Sequence, residues 1–127
     1  IPLSRASAEL VQRIGIEVEW VSRRDDSSLI RTASLAYYSN RRRARLLPGV
    51  ARIVRVHQDS PASDVSLRKG DILLGYGRTN WWGDYEEIPY RSAQDVADTV
   101  RMYANRDLPI IVLRDGRMFD GTLRVRR

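Results

Sequence analysis

The stretch from Gly49 to Gly75, GVARIVRVHQDSPASDVSLRKGDILLG, constrains the fold of this chain more than any other. An apolar run over 51–56 predicts a strand, and the Ser60-Pro61-Ala62 sequence ends it with a turn. Residues 62–67 predict about one turn of helix. Lys69-Gly70-Asp71 then opens a second apolar run, which predicts another short strand. This succession of short strands and turns is typical of a domain built mainly from β-strands.

The flanking sequence predicts further short elements of the same kind. Ser4 is a candidate N-cap for a helix over 5–12, and from Ile14 onward apolar residues recur every second position, which predicts a half-buried strand. Ser92 followed by Asp95 predicts the start of a second helix. Near the C-terminus the Asp115-Gly116 pair predicts a tight hairpin, and the elements around it are two strands over 108–113 and 118–125.

Two segments fit this scheme poorly. Leu29 to Tyr38 carries β-branched and aromatic residues, and its pattern is compatible with a strand or with an irregular excursion. Residues 77–90 predict a long loop in which Trp81, Trp82 and Tyr85 pack locally, with cover of an exposed edge or an aromatic partner site as the alternatives. The element order as a whole indicates an α+β, mainly β, barrel-like domain with two or three short helices.

Composition narrows the classes of function. The 127 residues predict one domain, and no run approaches the length of apolar sequence that spans a membrane. The absence of an initiator Met and of a signal peptide suggests an excised or processed fragment. There is no cysteine, which removes disulfides and cysteine metal sites. The formal charge is +6, and the basic side consists of 21 Arg and one Lys.

The basic residues are concentrated at Arg41, Arg42, Arg43 and Arg45. Arginine suits phosphate and carboxylate recognition, but no aromatic or glycine spacing here matches a nucleic-acid module. We interpret the cluster as a solvated loop and keep an Arg-rich polyanion-binding module as an alternative.

Catalytic signatures are missing from the sequence. His57 is the only histidine, so a Ser-His-Asp triad would depend on it, and no G-x-S-x-G, H-E-x-x-H or Walker motif occurs. The chain is therefore predicted to be no enzyme by itself, with no metal site and no cofactor.

The segments quoted so far resemble the bacterial type of PDZ domain, a small peptide-binding module. SAQDVADTVR followed by LPIIVLRDGRMFDGTLRV is similar to the closing part of such domains, and Arg13-Ile14-Gly15-Ile16 is similar to their carboxylate-binding loop. Ile1-Pro2-Leu3-Ser4 resembles the Ile-Pro motif that precedes the PDZ domain in HtrA/Deg-type serine proteases. The resemblance implies an interdomain helix, or the end of a preceding domain, over 1–12. The PDZ domain would then cover 13–127, with insertions near 23–47 and 78–90.

The resemblance also implies a fold and a binding site. The fold is a PDZ-like, partly open antiparallel β-barrel or sandwich capped by short helices. The ligand is added as an extra strand between a strand edge and a helix, and its carboxylate meets the backbone near Gly15, the residue that lets the backbone approach. The strand side of the groove would comprise Arg13, Ile14, Gly15, Ile16 and Val18. The helix side would comprise Ala93, Val96, Ala97 and Val100, which are spaced three and four apart.

From the resemblance we expect a domain that captures C-termini or extended apolar segments of peptides and unfolded proteins. It would serve as the regulatory or substrate-recruiting part of an HtrA/Deg-like serine protease, with the protease domain in the same parent chain and a role in protein quality control. An extracytoplasmic, periplasmic location fits this expectation, with a cytosolic one as the alternative. A PDZ domain of another protease or of a secretion component is the other reading, and the 23–47 insertion could also block the groove.

Overall fold

The computed structural model describes residues 4–39 and 45–127. Within this part, six strands and four helices alternate along the chain. In chain order they are α1 (Arg5–Ile14), β1 (Ile16–Ser22), α2 (Ser27–Tyr37), β2 (Gly49–Val56), α3 (Pro61–Asp64), β3 (Ile72–Thr79), β4 (Tyr85–Pro89), α4 (Ala93–Met102), β5 (Asp107–Arg114) and β6 (Arg117–Arg124).

Side-chain caps start all four described helices, including α3, where Ser60 forms a capping box. Ser4 Oγ accepts a hydrogen bond from the Ser7 N–H at 3.1 Å and begins α1, and Ser92 Oγ accepts from the Asp95 N–H at 3.0 Å and begins α4. In α2 the same role falls to Asp26, whose carboxylate accepts from the Leu29 N–H at 3.0 Å. These bonds satisfy backbone donors that a helix leaves free in its first turn.

The strands form one open antiparallel sheet in the order β1-β2-β3-β5-β6. Strand β4 pairs with the second half of β3, from Gly75 to Thr79, and extends the sheet locally. Strands β1 and β6 therefore lie at the two ends of the path. The α+β, mainly β, fold class predicted from the sequence is confirmed, although the described part contains four helices where two or three were expected.

Helices cover both faces of this sheet. On β3 the neighbouring residues Leu73 and Leu74 belong to different buried clusters, as successive side chains of a strand must when each face has its own core. The first cluster contains side chains of α1, α3 and α4, and the second contains side chains of α2. We refer to them as the α4 face and the α2 face of the sheet.

A buried ion pair holds the Gly-Asp turn before β3. The Asp71 side chain is 3% exposed, and its carboxylate accepts hydrogen bonds from Arg114 Nε at 2.8 Å and Arg114 Nη2 at 2.6 Å. The Arg68 N–H donates to the same carboxylate at 2.9 Å. The hydrogen bonds to Asp71 raise the pKa of the Arg114 guanidinium. The pair joins the turn to the end of β5. Sequence patterns did not indicate this ion pair.

The structure corrects three sequence predictions. Residues 29–38 are not a strand or an irregular excursion, because most of them belong to α2. The 77–90 segment is not a plain loop, because β3 continues to Thr79 and β4 follows within it. Helix α1 extends to Ile14, so the first strand begins at Ile16 and not at Ile14.

Candidate functional site

Strand β1 has one strand partner within residues 4–39 and 45–127. It pairs with β2 from Ile16 opposite Val56 to Ser22 opposite Gly49, with an irregularity between Glu17 and Val18. Its second edge has no strand beside it in the described part of the chain. An edge of this kind presents backbone N–H and C=O groups that an added strand can bind.

Helix α4 lies next to β1 on the α4 face of the sheet. Cα atoms of the two elements come within 8 Å of each other, and α4 also packs along α1. On α4, Val96, Ala97 and Val100 are 0–2% exposed, whereas Ala93 in its first turn is half-buried. The predicted wall helix is therefore beside the predicted strand, and three of its four candidate residues also belong to the core.

The same core receives the two isoleucines predicted for the strand side. Ile14 is the last residue of α1 and is 1% exposed, and Ile16 is 0% exposed. Val18 is half-buried at the margin of this core, as is Trp20 two residues further along the same side of β1. The structure thus brings the candidate apolar residues together, with Val18 and Trp20 as those nearest to solvent.

Trp20 was not among the residues that the sequence predicted for the peptide site. Its ring lies over Gly49 of β2, where a Cβ atom would be 2.6 Å from the indole. The period-two pattern of β1 could have identified it, because that pattern places Trp20 on the same side as Val18.

Gly15 lies at the start of β1, as the sequence predicts, but its backbone is already engaged. With a φ of 79° it ends α1, and its N–H donates to the carbonyls of Leu10 at 2.9 Å and Val11 at 3.1 Å. Its carbonyl accepts from the His57 N–H at 2.8 Å. The Gly15 N–H is therefore part of a helix end in this conformation and points to α1.

Arg13 is also engaged within the molecule. Its Nε donates to Glu9 Oε1 at 2.6 Å, and its Nη1 is 3.3 Å from the carbonyl oxygen of Arg126. The Arg13 carbonyl in turn accepts from the Arg126 N–H at 2.9 Å. These bonds attach the end of α1 to the segment that follows β6.

The described part of the 23–47 insertion lies away from the space between β1 and α4. Helix α2 packs on the α2 face through Ile30 and Ala33, both 0% exposed, on the opposite side of the sheet from α4. Of the basic run, Arg41, Arg42 and Arg43 lie outside the described residues, and Arg45 is exposed. The α2 helix itself does not cover the space between β1 and α4.

His57 and Ser60 are close together, but the His57 side chain contacts Glu17 on β1 and the Ser60 side chain holds the turn before α3. His57 Nε2 lies 3.0 Å from Glu17 Oε2, and Ser60 Oγ donates to the backbone carbonyl of His57 at 2.8 Å. Ser60 Oγ also accepts from the Ser63 N–H at 3.2 Å in a capping box. Residues 4–39 and 45–127 contain no group of His, Asp and Glu side chains that could hold a metal ion.

Trp81 and Trp82 of the β3–β4 connection pack against each other, but they do not form a buried core for this segment. Trp81 is 89% exposed, Trp82 is 60% exposed, and their ring centroids lie 4.6 Å apart. Tyr85 is 59% exposed. The pKa of the Tyr85 phenol is raised, first by partial burial and then by the charges of Glu87 and Asp120. The hairpin tip is therefore aromatic, exposed and acidic in its surroundings.

None of the described helices combines the length and the apolar character required to cross a membrane. No protein-family model matches the chain, and no curated protein matches it significantly.

The fold is similar to that of a solved HtrA-type protease, AlgW, in a variant studied with a decapeptide. The TM-score is 0.61 at 18% sequence identity. The match covers 95% of this chain and 32% of the protease chain, so this chain spans about a third of the solved protein. At this identity the likeness establishes the fold, and the fold is one that occurs within an HtrA-type protease.

Proposed function

We propose that this domain is a PDZ-like module that binds extended apolar peptide segments as an added strand on the free edge of β1, beside α4. The observation that carries the proposal is the position of β1, which lies at one end of the sheet with α4 close to it. Backbone hydrogen bonds would supply most of the affinity in such a mode. The similar fold of a protease solved with a decapeptide supports it.

The half-buried side chains of β1 give this edge its selectivity. Val18 and Trp20 adjoin the core on the α4 face, and Ala93 is half-buried on the helix. An added strand would direct every second side chain towards these residues. Apolar ligand residues at alternate positions should therefore be preferred, with Kd values on the order of micromolar because the buried area is small.

Recognition of a terminal carboxylate is a less favourable mode in the present conformation. The Gly15 N–H donates to Leu10 and Val11, and the Arg13 guanidinium pairs with Glu9. A carboxylate could reach the Gly15 N–H only after the last turn of α1 had opened. We therefore expect short Val/Ile/Leu-rich peptides to bind almost equally, within about threefold, whether their C-termini are free or amidated.

The test measures the binding of these peptides by fluorescence anisotropy. Val18→Glu on β1 should weaken binding at least about tenfold, because a carboxylate would replace an apolar contact. Met118→Glu is the matched control on β6, the other end strand, where Met118 is 41% exposed. If only the Met118 variant lost binding, the peptide site would be on β6 and the proposal would be overturned.

Two modified peptides sharpen the result. N-methylation of alternate amides removes the donors that face the acceptor strand, so one methylation register should abolish binding and the other should leave it unchanged. Equal binding by both registers would exclude strand addition. A large loss on amidation would instead support capture of C-termini and an opened α1.

Within the same proposal, the domain is the recruiting part of an HtrA/Deg-like serine protease whose catalytic residues lie in another domain. The likeness to about a third of an HtrA-type protease chain supports this. The parent reading frame tests it: a Ser-His-Asp protease domain upstream supports the assignment, and membrane helices in its place contradict it. An extracytoplasmic location belongs to this assignment and is checked by protease accessibility in cells whose outer membrane has been permeabilised and whose inner membrane is intact.

A further inference from the structure

The α2 side of the molecule carries an exposed surface that the peptide site does not use. We name it the basic face, and its residues are Arg23, Arg24, Arg31, Leu35, Arg45 and Leu46. All six are exposed, with Leu35 at 67% and Leu46 at 50%. The surface therefore combines exposed cationic groups with two exposed large apolar side chains.

Local geometry relates the residues of the basic face to α2 and to one another. Arg31 and Leu35 are four residues apart on α2 and therefore share one side of the helix. The Leu47 N–H donates to the buried Ser34 Oγ at 2.9 Å, which fixes the segment with Arg45 and Leu46 against α2. Arg23, Arg24 and Leu46 also line one open cleft of about 400 Å³.

None of the four arginines of the basic face has an acidic partner in the described part of the chain. These residues are Arg23, Arg24, Arg31 and Arg45. Carboxylates pair with half of the other described arginines, as in Arg52–Glu19, Arg78–Glu86, Arg101–Asp98 and Arg124–Asp107. The basic face therefore has a larger share of unpaired guanidinium groups than the rest of the described chain.

The two carboxylates beside the basic face are occupied by other donors. Asp25 accepts hydrogen bonds from the Ser22 N–H at 2.9 Å and the Ser22 hydroxyl at 3.0 Å, and these bonds lower the pKa of Asp25. Asp26 caps α2. With four arginines against two aspartates, the face keeps a positive excess.

We propose that the basic face docks the domain onto an anionic lipid bilayer. The arginines would lie at the level of the headgroups, and Leu35 and Leu46 would enter the boundary with the acyl chains. Each arginine near an anionic membrane raises the partition coefficient about fivefold. The exposed leucines favour a bilayer over a nucleic acid, since a phosphate backbone offers them no apolar phase.

The aromatic tip formed by Trp81 and Trp82 is the competing membrane contact. Its neighbours in the hairpin include Asp84, Glu86 and Glu87, and Arg78 is already paired with Glu86. This acidic surrounding repels anionic headgroups, so the tip is less suited to such a surface.

The test is cosedimentation of the chain with vesicles. We expect binding to an equimolar mixture of phosphatidylcholine and phosphatidylglycerol and none to phosphatidylcholine alone. Arg31→Glu combined with Arg45→Glu should lower the partition coefficient at least about 25-fold, from two lost arginine contributions. Arg91→Glu combined with Arg117→Glu changes the net charge equally on exposed residues elsewhere and should have a much smaller effect.

A second double variant distinguishes binding to a bilayer from binding to a polyanion. Leu35→Ser combined with Leu46→Ser should reduce vesicle binding while leaving any binding to heparin or a single-stranded oligonucleotide unchanged. Unchanged vesicle binding in the leucine variant would overturn the proposal in favour of a polyanion site. Equal losses in the two charge-reversed pairs, or loss only in Trp81→Ser with Trp82→Ser, would also overturn it. All variants keep Arg41, Arg42 and Arg43, so they report on the basic face alone.

Discussion

At the residue scale, Gly15 combines two constraints that can be separated by experiment. Its φ of 79° disfavours any side chain, and a Cβ atom would overlap Ser60, which the capping box of α3 holds in place. Gly70 has a similar φ of 93° but has no atom within 4 Å of the Cβ position. Gly15→Ala should therefore lower the free energy of unfolding by about 1–3 kcal/mol more than Gly70→Ala does. Urea denaturation measures both, and equal losses would show that Ser60 moves aside.

The Asp71–Arg114 pair is the residue-scale feature on which we expect stability to depend most. Arg114→Ala would leave the Asp71 carboxylate buried without its cation, and such a change costs about 3–5 kcal/mol of unfolding free energy. Arg78→Ala is the control, because its pair with Glu86 is 48% and 37% exposed and should contribute less than about 1 kcal/mol. Thermal and urea unfolding of the two variants check this difference. Similar losses would mean that water reaches Asp71 once Arg114 is removed.

At the scale of elements, local chemistry could be predicted from the sequence and tertiary context could not. Ser92 caps α4, and Asp115 and Gly116 take φ values of 51° and 76° in the hairpin turn, because each signal acts within a few residues. The 29–38 segment was missed because its apolar and β-branched residues suit a strand. Burial against the α2 face, with Asp26 as the cap, favours the helix there.

The candidate site also depends on tertiary context that could not be predicted from the sequence. The sequence identified β1 and α4 as neighbours through a resemblance, and the structure brings them together. Which side chains remain accessible depends on long-range packing: Ile14 at the end of α1 and Ile16 are buried in the core, and Val18 and Trp20 stay at its margin. The Gly15 N–H could not be assigned from the sequence, because its partner depends on where α1 ends.

At the scale of the whole molecule, the two proposed surfaces occupy different sides of one sheet. The peptide site uses the edge of β1 next to α4, and the basic face lies on α2 behind the sheet. A domain docked through α2 would leave α4 on the side of the sheet opposite the lipid headgroups. Vesicle binding and peptide binding should then be independent of each other, which the surface variants described above can establish.

The role of α1 decides where this domain begins. The family resemblance implied an interdomain helix, or the end of a preceding domain, over 1–12, yet Leu10 is 0% exposed in the same core cluster as Val96 and Val100 of α4. If α1 is part of the folding unit, Leu10→Ala should lower the free energy of unfolding by about 2–5 kcal/mol, because it removes buried methyl groups and leaves a cavity. Gln12→Ala, on the exposed side of the same helix, should change it by less than about 0.5 kcal/mol. Urea denaturation followed by tryptophan fluorescence measures both variants. A loss below about 1 kcal/mol for Leu10→Ala would instead identify α1 as a detachable helix, and the β1–α4 gap would then open whenever α1 leaves.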